Sequence, residues 1–431
     1  MKDSVEGLRA AVVGEVITSA DASYEEISRT VVAEGQPRVV VRCAGAADVV
    51  AALKYAEAQQ LAVAVRSGGH HGAGTGTNNG GVVIDVRPMD DVSVLADGVV
   101  RVGTGATWGQ VAARLAGEGL AISSGDTASV GVGGLMAGGG IGWMVRRHGL
   151  AIDQVIAAEV VTADGAVRRV DATTESELFW GLRGAAGSLG VVTSYDVAAV
   201  RQPTVHFGTL LYPWTQADQV LAAWAEYAAD APEDLTSSLQ LAPTMMADRQ
   251  VPVAVMVCVS GDPAQRDAIL EPLRHLGTLL TEKVAEVPYA EVFAEMHMPP
   301  GLRPRIRNGL FDRWSPELGE RLLAARPEIP GLALEIRALG GAYGEVPADA
   351  TAFAHRDARF MVNSVLMGPQ EQAADFDQLW EELAPKGAYV NFLSHPTTAD
   401  LERCYPGAHR ARLDALMQSI DPGDVFRGPL G

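Results

Sequence analysis

The sequence has few cysteines and no long apolar segment. Its three cysteines, Cys43, Cys258 and Cys404, lie far apart without C-x-x-C spacing, which argues against a disulfide scaffold and against a zinc site. No window supplies the roughly 18 apolar residues of a membrane span, and the N-terminus lacks a basic start followed by an apolar run. We therefore expect a cytoplasmic protein with no bound metal and no membrane partner.

Positive charge is also scarce. The chain has 34 Lys and Arg residues against 53 Asp and Glu, a net charge of -19. Such a surface repels nucleic acid and anionic membranes, so a small-molecule partner is expected and a nucleic-acid partner is not. The length of 431 residues is too great for one ordinary core and predicts two or three domains. The sequence does not determine the oligomeric state, and a homodimer is compatible with it.

The first 200 residues combine short β-type runs with many glycines. Residues 39–41 and 61–65 are continuous apolar runs too short for helices, and a helix beginning near Asp48 separates them. This β-α-β order favours a parallel pairing. Two later segments place Asp97-Gly98 and Asp164-Gly165 between β-rich arms, which predicts tight hairpin turns. The region is therefore expected to be mixed α+β.

The composition and the hydrophobic pattern of the sequence change after Gln202-Pro203. The glycine clusters end, and helix-like stretches (215–228, 264–276) alternate with strand-like ones (252–260, 332–339). We predict a first domain over residues 1–200 and a substrate-binding domain over 201–395. Residues 396–431 are expected to form a C-terminal segment that returns to the first domain.

Three glycine clusters are the strongest functional signal, and they lie at residues 66–72, 130–142 and 182–190. Glycine allows close backbone approach to a ligand, and free main-chain N–H groups form concavities that bind anions. Most single clusters serve turns and packing, but seven glycines between positions 131 and 142 exceed that need. A diphosphate is the ligand expected to bind these loops. The chain has no G-x-x-x-x-G-K-[ST] P-loop and no strict G-x-G-x-x-G between a strand and a helix, which disfavours a Rossmann site.

These segments resemble a known family. The R-S-G-G-H sequence at 66–70 and the 130–142 segment are similar to FAD-linked oxidases of the vanillyl-alcohol-oxidase fold, in the berberine-bridge-enzyme-like branch. Residues 149–165, 177–194, YVNF at 389–392 and DPGDVFR at 421–427 resemble family segments in the same order. The resemblance implies a two-part PCMH-type FAD-binding domain plus an α/β substrate domain whose antiparallel sheet is flanked by helices.

The resemblance also implies which residues hold FAD. Residues 66 to 70 would form a loop over the diphosphate, and Asp153 and Val192 would lie near the adenosine end. The full implied cofactor set is Arg66, Ser67, Gly68, Gly69, His70, His71, Thr127, Val130, Gly131, Gly133, Gly134, Gly138, Gly139, Gly142, Asp153, Val192, Tyr389 and Asn391.

In relatives the histidine at the position of His70 is bonded to the 8α-methyl carbon of the flavin, and a neutral imidazole nitrogen is a competent nucleophile for that step. Many relatives have a second attachment through a cysteine in G-T-C-P-T-V-G. This chain has Thr127 at that position, and Leu135 where a histidine often follows the double glycine. We therefore predict a single linkage, through His70, as in 6-hydroxynicotine-oxidase-like members. His71 is its immediate neighbour. Val130 occupies a position where relatives with a small side chain are oxidases.

The substrate side needs a base within reach of the reacting carbon. Glu335 and Arg337 alternate onto one face of a predicted strand, as do Tyr389 and Asn391 in YVNF. Tyr389, Asn391 and Glu335 are the candidate catalytic residues, although a charged strand face is more often only solvated surface. His355-Arg356 also resembles a family segment and is expected to close the fold.

The resulting function is that of an FAD-dependent oxidase. It would remove a hydride from a C–H next to an alcohol or amine of a small secondary metabolite and reduce O2 to H2O2. A dehydrogenase with another acceptor stays open, as does a flavin-binding cyclase or dehydratase of natural-product biosynthesis with no net redox change. The sequence does not identify the substrate.

Overall fold

The structure is a computed structural model that describes residues 4–244, 251–295, 303–367 and 370–426. Within those ranges three main sheets of four, five and seven strands combine with helices, which confirms the predicted α+β class. No described helix is long and apolar enough to cross a membrane. Cys43, Cys258 and Cys404 are buried free thiols. Arg427, the last residue of the 421–427 segment, lies outside the described residues.

The first sheet contains the predicted β-α-β start. Its strands are β1 (Glu15–Ile17), β2 (Val39–Arg42), β3 (Val63–Arg66) and β4 (Val82–Asp85), in the order β1-β2-β4-β3. The associated helices are α1 (Val5–Ala11), α2 (Tyr24–Ser28) and α3 (Ala46–Ala58). The parallel arrangement is present, but β4 lies between β2 and β3 and pairs with both. Asp48 lies in the first turn of α3 and accepts main-chain hydrogen bonds from Val13, Gly14 and Ala44.

The second sheet is antiparallel and follows directly in the chain. Its strands, in the order β5-β6-β10-β8-β9, are β5 (Val92–Val94), β6 (Val99–Gly103), β8 (Val155–Val161), β9 (Val167–Asp171) and β10 (Val191–Ala198). The helices of this region are α4 (Trp108–Ala116), α5 (Val132–Gly138), α6 (Val145–His148) and α7 (Ser176–Ala185). Both predicted hairpins are present: Asp97 and Gly98 have φ of 58° and 74°, whereas at the second only Gly165 is positive, at 76°. A short pair, β7 (Leu120–Ala121) with β11 (Val200–Arg201), lies beside this sheet.

The third sheet has seven antiparallel strands in the order β15-β12-β14-β13-β17-β18-β16. They are β12 (Thr204–Tyr212), β13 (Leu235–Leu241), β14 (Val253–Val259), β15 (Thr281–Pro288), β16 (Arg305–Phe311), β17 (Leu332–Ala338) and β18 (Phe360–Leu366). The helices here are α8 (Ala217–Asp230), α9 (Arg266–Arg274), α10 (Pro316–Glu328), α11 (Ala342–Glu345) and α12 (Ala373–Leu383). Side chains of one face, such as Leu334 and Ile336, share a core with α8, α10 and α12, so the alternating side chains face the rest of the molecule.

The final segment contains α13 (Thr398–Cys404) and α14 (Ala408–Ile420) and packs on the N-terminal half. The Tyr405 hydroxyl donates to the carbonyl of Gly184 at 2.8 Å. Phe426 is buried in a core shared with Val161 and Val191. These contacts agree with a segment that returns to the first domain, although the boundaries at residues 201 and 396 stay predictions.

Candidate active site

A cavity of about 520 Å³ lies between the three sheets. Its walls come from the loop after β3, from the segment leading into α5, from the turn after α7, and from the third sheet together with residues 389–392. Glycine-rich loops form much of the wall, which lets the main chain itself approach a ligand closely. All three glycine clusters of the sequence therefore reach the same cavity.

Arg66 orients the first loop. It ends β3, is buried, and donates from Nη2 to the Asp85 carboxylate at 2.8 Å and from Nη1 to the carbonyls of Ile27 and Arg29. Asp85 balances the charge of the guanidinium. The three contacts of the guanidinium fix the end of β3, from which the loop starts. The main-chain nitrogens of Gly68, Gly69 and His70 donate no hydrogen bond to any described residue. Free N–H groups facing a cavity suit a diphosphate.

Glycine is required where the first two loops meet. A Cβ on Gly68 would lie 2.4 Å from the nitrogen of Gly131, and one on Gly131 would lie 2.1 Å from Ser67 Oγ. Gly134 differs: a Cβ there has no atom within 4 Å and would project into open space at the cavity wall. The wall at Gly134 thus leaves room that a bound group can fill.

Two glycines of the second cluster are not part of the lining. Gly139 has φ of 145° and packs against Tyr389 and Phe353, and a Cβ on Gly142 would lie 2.3 Å from the Ser124 carbonyl oxygen. Both glycines contact packed chain segments behind the wall, and their assignment to the cofactor set stays a prediction. The other predicted glycines of the segment line the cavity: Gly131, Gly133, Gly134 and Gly138.

His70 and His71 both line the cavity. Burial lowers the pKa of His70, and a hydrogen bond with the Ser129 main chain opposes that shift. Burial likewise lowers the pKa of His71, whose Nδ1 accepts from the Ala73 N–H at 3.3 Å. Both imidazoles are therefore neutral near pH 7, the form in which a ring nitrogen can act as a nucleophile. Thr127 and Val130 also line the cavity.

Tyr389 and Asn391 line the cavity, but the strand predicted for YVNF is absent. Residues Val390–Phe392 form a 3₁₀ turn. Asn308 holds this turn, because its side chain donates to the carbonyls of Tyr389 and Phe392 and accepts from the Tyr389 N–H. The two side chains nevertheless meet, with Asn391 Nδ2 2.8 Å from the Tyr389 hydroxyl oxygen. Burial raises the pKa of Tyr389.

Glu335 lies on the predicted face of β17 but does not line the cavity. Its Oε1 accepts from Arg337 Nη2 at 2.7 Å, and the same nitrogen donates to Asp126 Oδ2 at 2.5 Å. Asp126 does line the cavity. Sequence analysis overlooked Asp126, and its position directly before Thr127 was the available signal.

Asp153 is not among the residues that line the cavity, and its assignment to the adenosine end stays a prediction. Its carboxylate forms two hydrogen bonds with Arg356, at 2.7 and 2.8 Å, and accepts from the Leu150 N–H. Arg356 therefore has a structural contact of the kind that was expected, since it joins its own segment to the one that contains Asp153. Val192 does line the cavity.

Two further polar residues of the lining were missed. The Ser188 hydroxyl and the Tyr195 hydroxyl are buried and have no hydrogen-bond partner among the described residues. Ser188 belongs to the third glycine cluster, which supplied a signal for it. Buried polar atoms without partners at a cavity wall fit a polar group bound there. Together with the free loop nitrogens and the room at Gly134, they fit a dinucleotide such as FAD.

Residues 37–171 match the family model described as an FAD binding domain. The FAD-linked oxidoreductase YgaK of Bacillus subtilis is 28% identical over 97% of this chain and 96% of that protein. The (R)-6-hydroxynicotine oxidase of Paenarthrobacter nicotinovorans is 32% identical over 66% of this chain and 63% of that protein.

Solved structures agree over nearly the whole chain. The 6-hydroxy-D-nicotine oxidase of Arthrobacter nicotinovorans superposes with a TM-score of 0.86 at 26% identity, covering 96% of this chain and 97% of that one. A chitooligosaccharide oxidase at 22% identity gives 0.87 over 99% and 98% and shows the same fold. The berberine-bridge-enzyme-like protein 1 of Physcomitrella patens, at 18% identity, gives 0.88 over 99% and 98%.

The cavity and the matched domain define an FAD-dependent oxidoreductase. The resemblance found in the sequence is confirmed: the chain has a PCMH-type FAD-binding domain and the fold of the berberine-bridge-enzyme-like oxidases.

Proposed function

We propose that this chain is an oxidase whose FAD is attached covalently through His70 alone. It removes a hydride from a C–H next to an alcohol or amine of a small metabolite and passes the electrons to O2, yielding H2O2. The observation that carries the proposal is the convergence of the neutral His70, the free loop amides and the Tyr389–Asn391 pair on one cavity.

FAD, when bound, supplies the two-electron acceptor. The chain's own residues hold and orient it: the amides of residues 68–70 suit the diphosphate, and Ser188 and Tyr195 offer hydroxyls. A single linkage is supported by Thr127, whose side chain cannot form the thioether of a cysteine. A glucooligosaccharide oxidase of Acremonium strictum with this fold is described with a 6-S-cysteinyl, 8α-N1-histidyl FAD, so it carries the doubly attached arrangement.

On the substrate side, Tyr389 is the proposed group that holds or accepts a proton. Its oxygen accepts two hydrogen bonds, from Gly140 N–H and Asn391 Nδ2. Two such donors stabilise negative charge on the oxygen, which opposes the effect of burial on its pKa. Apolar side chains from the third sheet, including Ile306 and Val365, exclude water from the same cavity.

The test begins with the absorption spectrum of the purified protein, followed by acid precipitation. Yellow colour that remains in the precipitate supports a covalent flavin, and release of all flavin contradicts it. Oxygen consumption is then compared with dye reduction over panels of alcohols, amines and hydroxylated metabolites, which separates an oxidase from a dehydrogenase. Under strict anaerobiosis an oxidase stops after one turnover, whereas a cyclase or dehydratase continues.

A further inference from the structure

The face of the third sheet that looks toward the cavity is arranged in three rows across β16, β18 and β17. Each row is made of residues directly opposite one another in the strand register. The first row is Ile306, Val365 and Ala333; the second is Asn308, Asn363 and Glu335; the third is Leu310, Met361 and Arg337. All three members of the first row line the cavity. This apolar row offers a surface for hydrocarbon and no hydrogen bond from a side chain.

The polar end of this face carries an unbalanced negative charge. Arg337 Nη2 lies 2.7 Å from Glu335 Oε1 and 2.5 Å from Asp126 Oδ2. One guanidinium between two carboxylates leaves one net negative charge. The guanidinium is fully buried, whereas the Asp126 side chain is 28% exposed and lines the cavity. The excess charge is therefore accessible to a ligand through Asp126.

No other described residue of the lining balances this charge. Arg66 is the one Lys or Arg among the described lining residues, and it is bound to Asp85 on the far side of its loop. Burial lowers the pKa of both His70 and His71, so neither is a cation near neutral pH. An anion that lies partly out of water without a counter-ion is costly, and a cationic ligand offsets that cost.

A second observation concerns the middle row. The Oδ1 atom of Asn363 is buried and accepts no hydrogen bond from a described residue, and Asn363 lies opposite Glu335 in the register. Asp126 and Glu335 thus offer carboxylate acceptor oxygens on this part of the face, and Asn363 Oδ1 is a further acceptor without a described partner. An ammonium group, which donates and never accepts, complements such a set. A hydroxyl brings one donor and no charge.

We propose that the substrate is a cationic amine, held by its ammonium group at Asp126 with its hydrocarbon body on the row of Ile306, Val365 and Ala333. The inference rests on the proposed function and chooses amine over alcohol within it. Asp126 acts in recognition and Arg337 positions its carboxylate, while Glu335, which does not line the cavity, balances the charge of Arg337 and so leaves that of Asp126 for the ligand.

The experiment measures binding without turnover. The probes are 2-phenylpropan-2-amine and its neutral isostere 2-phenylpropan-2-ol, which have no C–H on the carbon that carries nitrogen or oxygen and so cannot lose a hydride there. Calorimetric titration of the holoprotein at pH 7.5 gives the ratio of the two dissociation constants. We expect the amine to bind the wild-type protein at least tenfold more tightly.

Asp126→Asn and Glu335→Gln each remove one negative charge and leave Arg337 paired with one carboxylate. The preference for the amine should fall toward one in both variants. Asp90→Asn, which removes an exposed carboxylate with no described partner, should keep the wild-type ratio. Thermal melting checks the fold, and if one site variant fails to fold, the other decides. No amine preference in the wild type, or an unchanged ratio in a folded site variant, overturns the proposal.

Oxygen consumption is recorded separately, so the two proposals fail independently. A protein that prefers the ammonium probe but never consumes oxygen with any amine keeps this inference and rejects the oxidase. A protein that oxidises alcohols and binds both probes equally keeps the oxidase proposal and rejects this inference.

Discussion

The Tyr389 hydroxyl oxygen lies 2.8 Å from the main-chain nitrogen of Gly140, although the two residues are 249 positions apart in the chain. Asn391 Nδ2 donates to the same oxygen at 2.8 Å. Because these two donors occupy two directions around the phenol oxygen, the O–H bond of Tyr389 points in a third direction. Gly140 can present its nitrogen here because its φ of 88° suits a residue without a side chain.

The first prediction follows from that contact. Tyr389→Phe leaves two donors without an acceptor and removes the proton-holding oxygen, at a cost of about 1–3 kcal/mol for a buried donor. We expect FAD to stay bound while anaerobic reduction by an oxidisable substrate slows at least tenfold. Stopped-flow absorbance measures the rate. Tyr227→Phe, whose hydroxyl donates to the Ile269 carbonyl on a distant helix, is the matched control. An unchanged rate would exclude Tyr389 from the chemistry.

The second prediction concerns the flavin attachment. His70→Ala should leave FAD fully extractable by acid, whereas Thr127→Ala should retain it in the precipitate. His71→Asn keeps a neutral polar neighbour and should also retain it. The flavin of each supernatant is measured by fluorescence. Retention in the His70 variant would show that the bond is made elsewhere.

The third prediction contrasts two glycines of one segment. Gly134→Leu places its side chain in the open space of the cavity, so FAD content should fall while the apoprotein stays folded. Gly131→Ala forces a Cβ to within 2.1 Å of Ser67 Oγ, so the fold itself should be destabilised. Flavin stoichiometry and melting temperature, measured together, separate the two effects. Full flavin content in the Gly134 variant would contradict the cavity assignment.

The fourth prediction tests the assignment of Asp153 to the adenosine end of FAD. Asp153→Asn removes one partner of a buried ion pair and should lower the free energy of unfolding by about 3–5 kcal/mol. Folded protein should still hold one FAD per chain, since Asp153 does not line the cavity. Asp357→Asn breaks an exposed pair with Lys386 and should change the stability by less than about 1 kcal/mol. Loss of FAD from folded Asp153→Asn would support the assignment of Asp153 to the cofactor. Denaturant titration gives the stability.

The fifth prediction is a pH dependence. Burial lowers the pKa of His71, His148 and His355 below the ordinary value of 6.5. As the pH falls, the unfolded chain binds a proton at each of these histidines at a higher pH than the folded protein does. Their contribution to the free energy of unfolding is therefore fully present above about pH 6.5 and is lost as the pH drops below that value. His148→Gln should reduce this slope, and His275→Gln, at an exposed residue, should not. A flat profile between pH 7 and 5 would contradict the burial argument.

The glycine clusters were the part of the site that the sequence predicts well. A glycine allows close approach wherever it occurs, so a local pattern is enough to indicate the loops around a ligand. The parallel start and the two hairpins were predictable for the same reason, because turn residues and apolar runs act over a few positions. The position of β4 between its neighbours depends on the pairing of distant strands and was not predictable from either one.

Contacts between distant residues account for what the sequence does not predict. YVNF has strand composition, but Asn308, 81 positions before Tyr389, closes it into a turn. Asp153 lies in a segment that resembles the family, and its pairing with Arg356, 203 positions away, cannot be predicted from that segment. The sequence around Asp126 gives no sign of its role, which depends on Arg337 donating hydrogen bonds to both Asp126 and Glu335. Each case depends on a partner that no local pattern identifies.

The cavity wall is assembled from segments that begin at Val31 and continue to Phe426. A ribosome makes these segments in order, so the nascent chain exposes its glycine loops well before residues 389–426 exist to cover them. Capture of the cofactor in a closed site must therefore follow synthesis of the C-terminal segment. Until then, the half-made pocket is a surface that chaperones and proteases can reach.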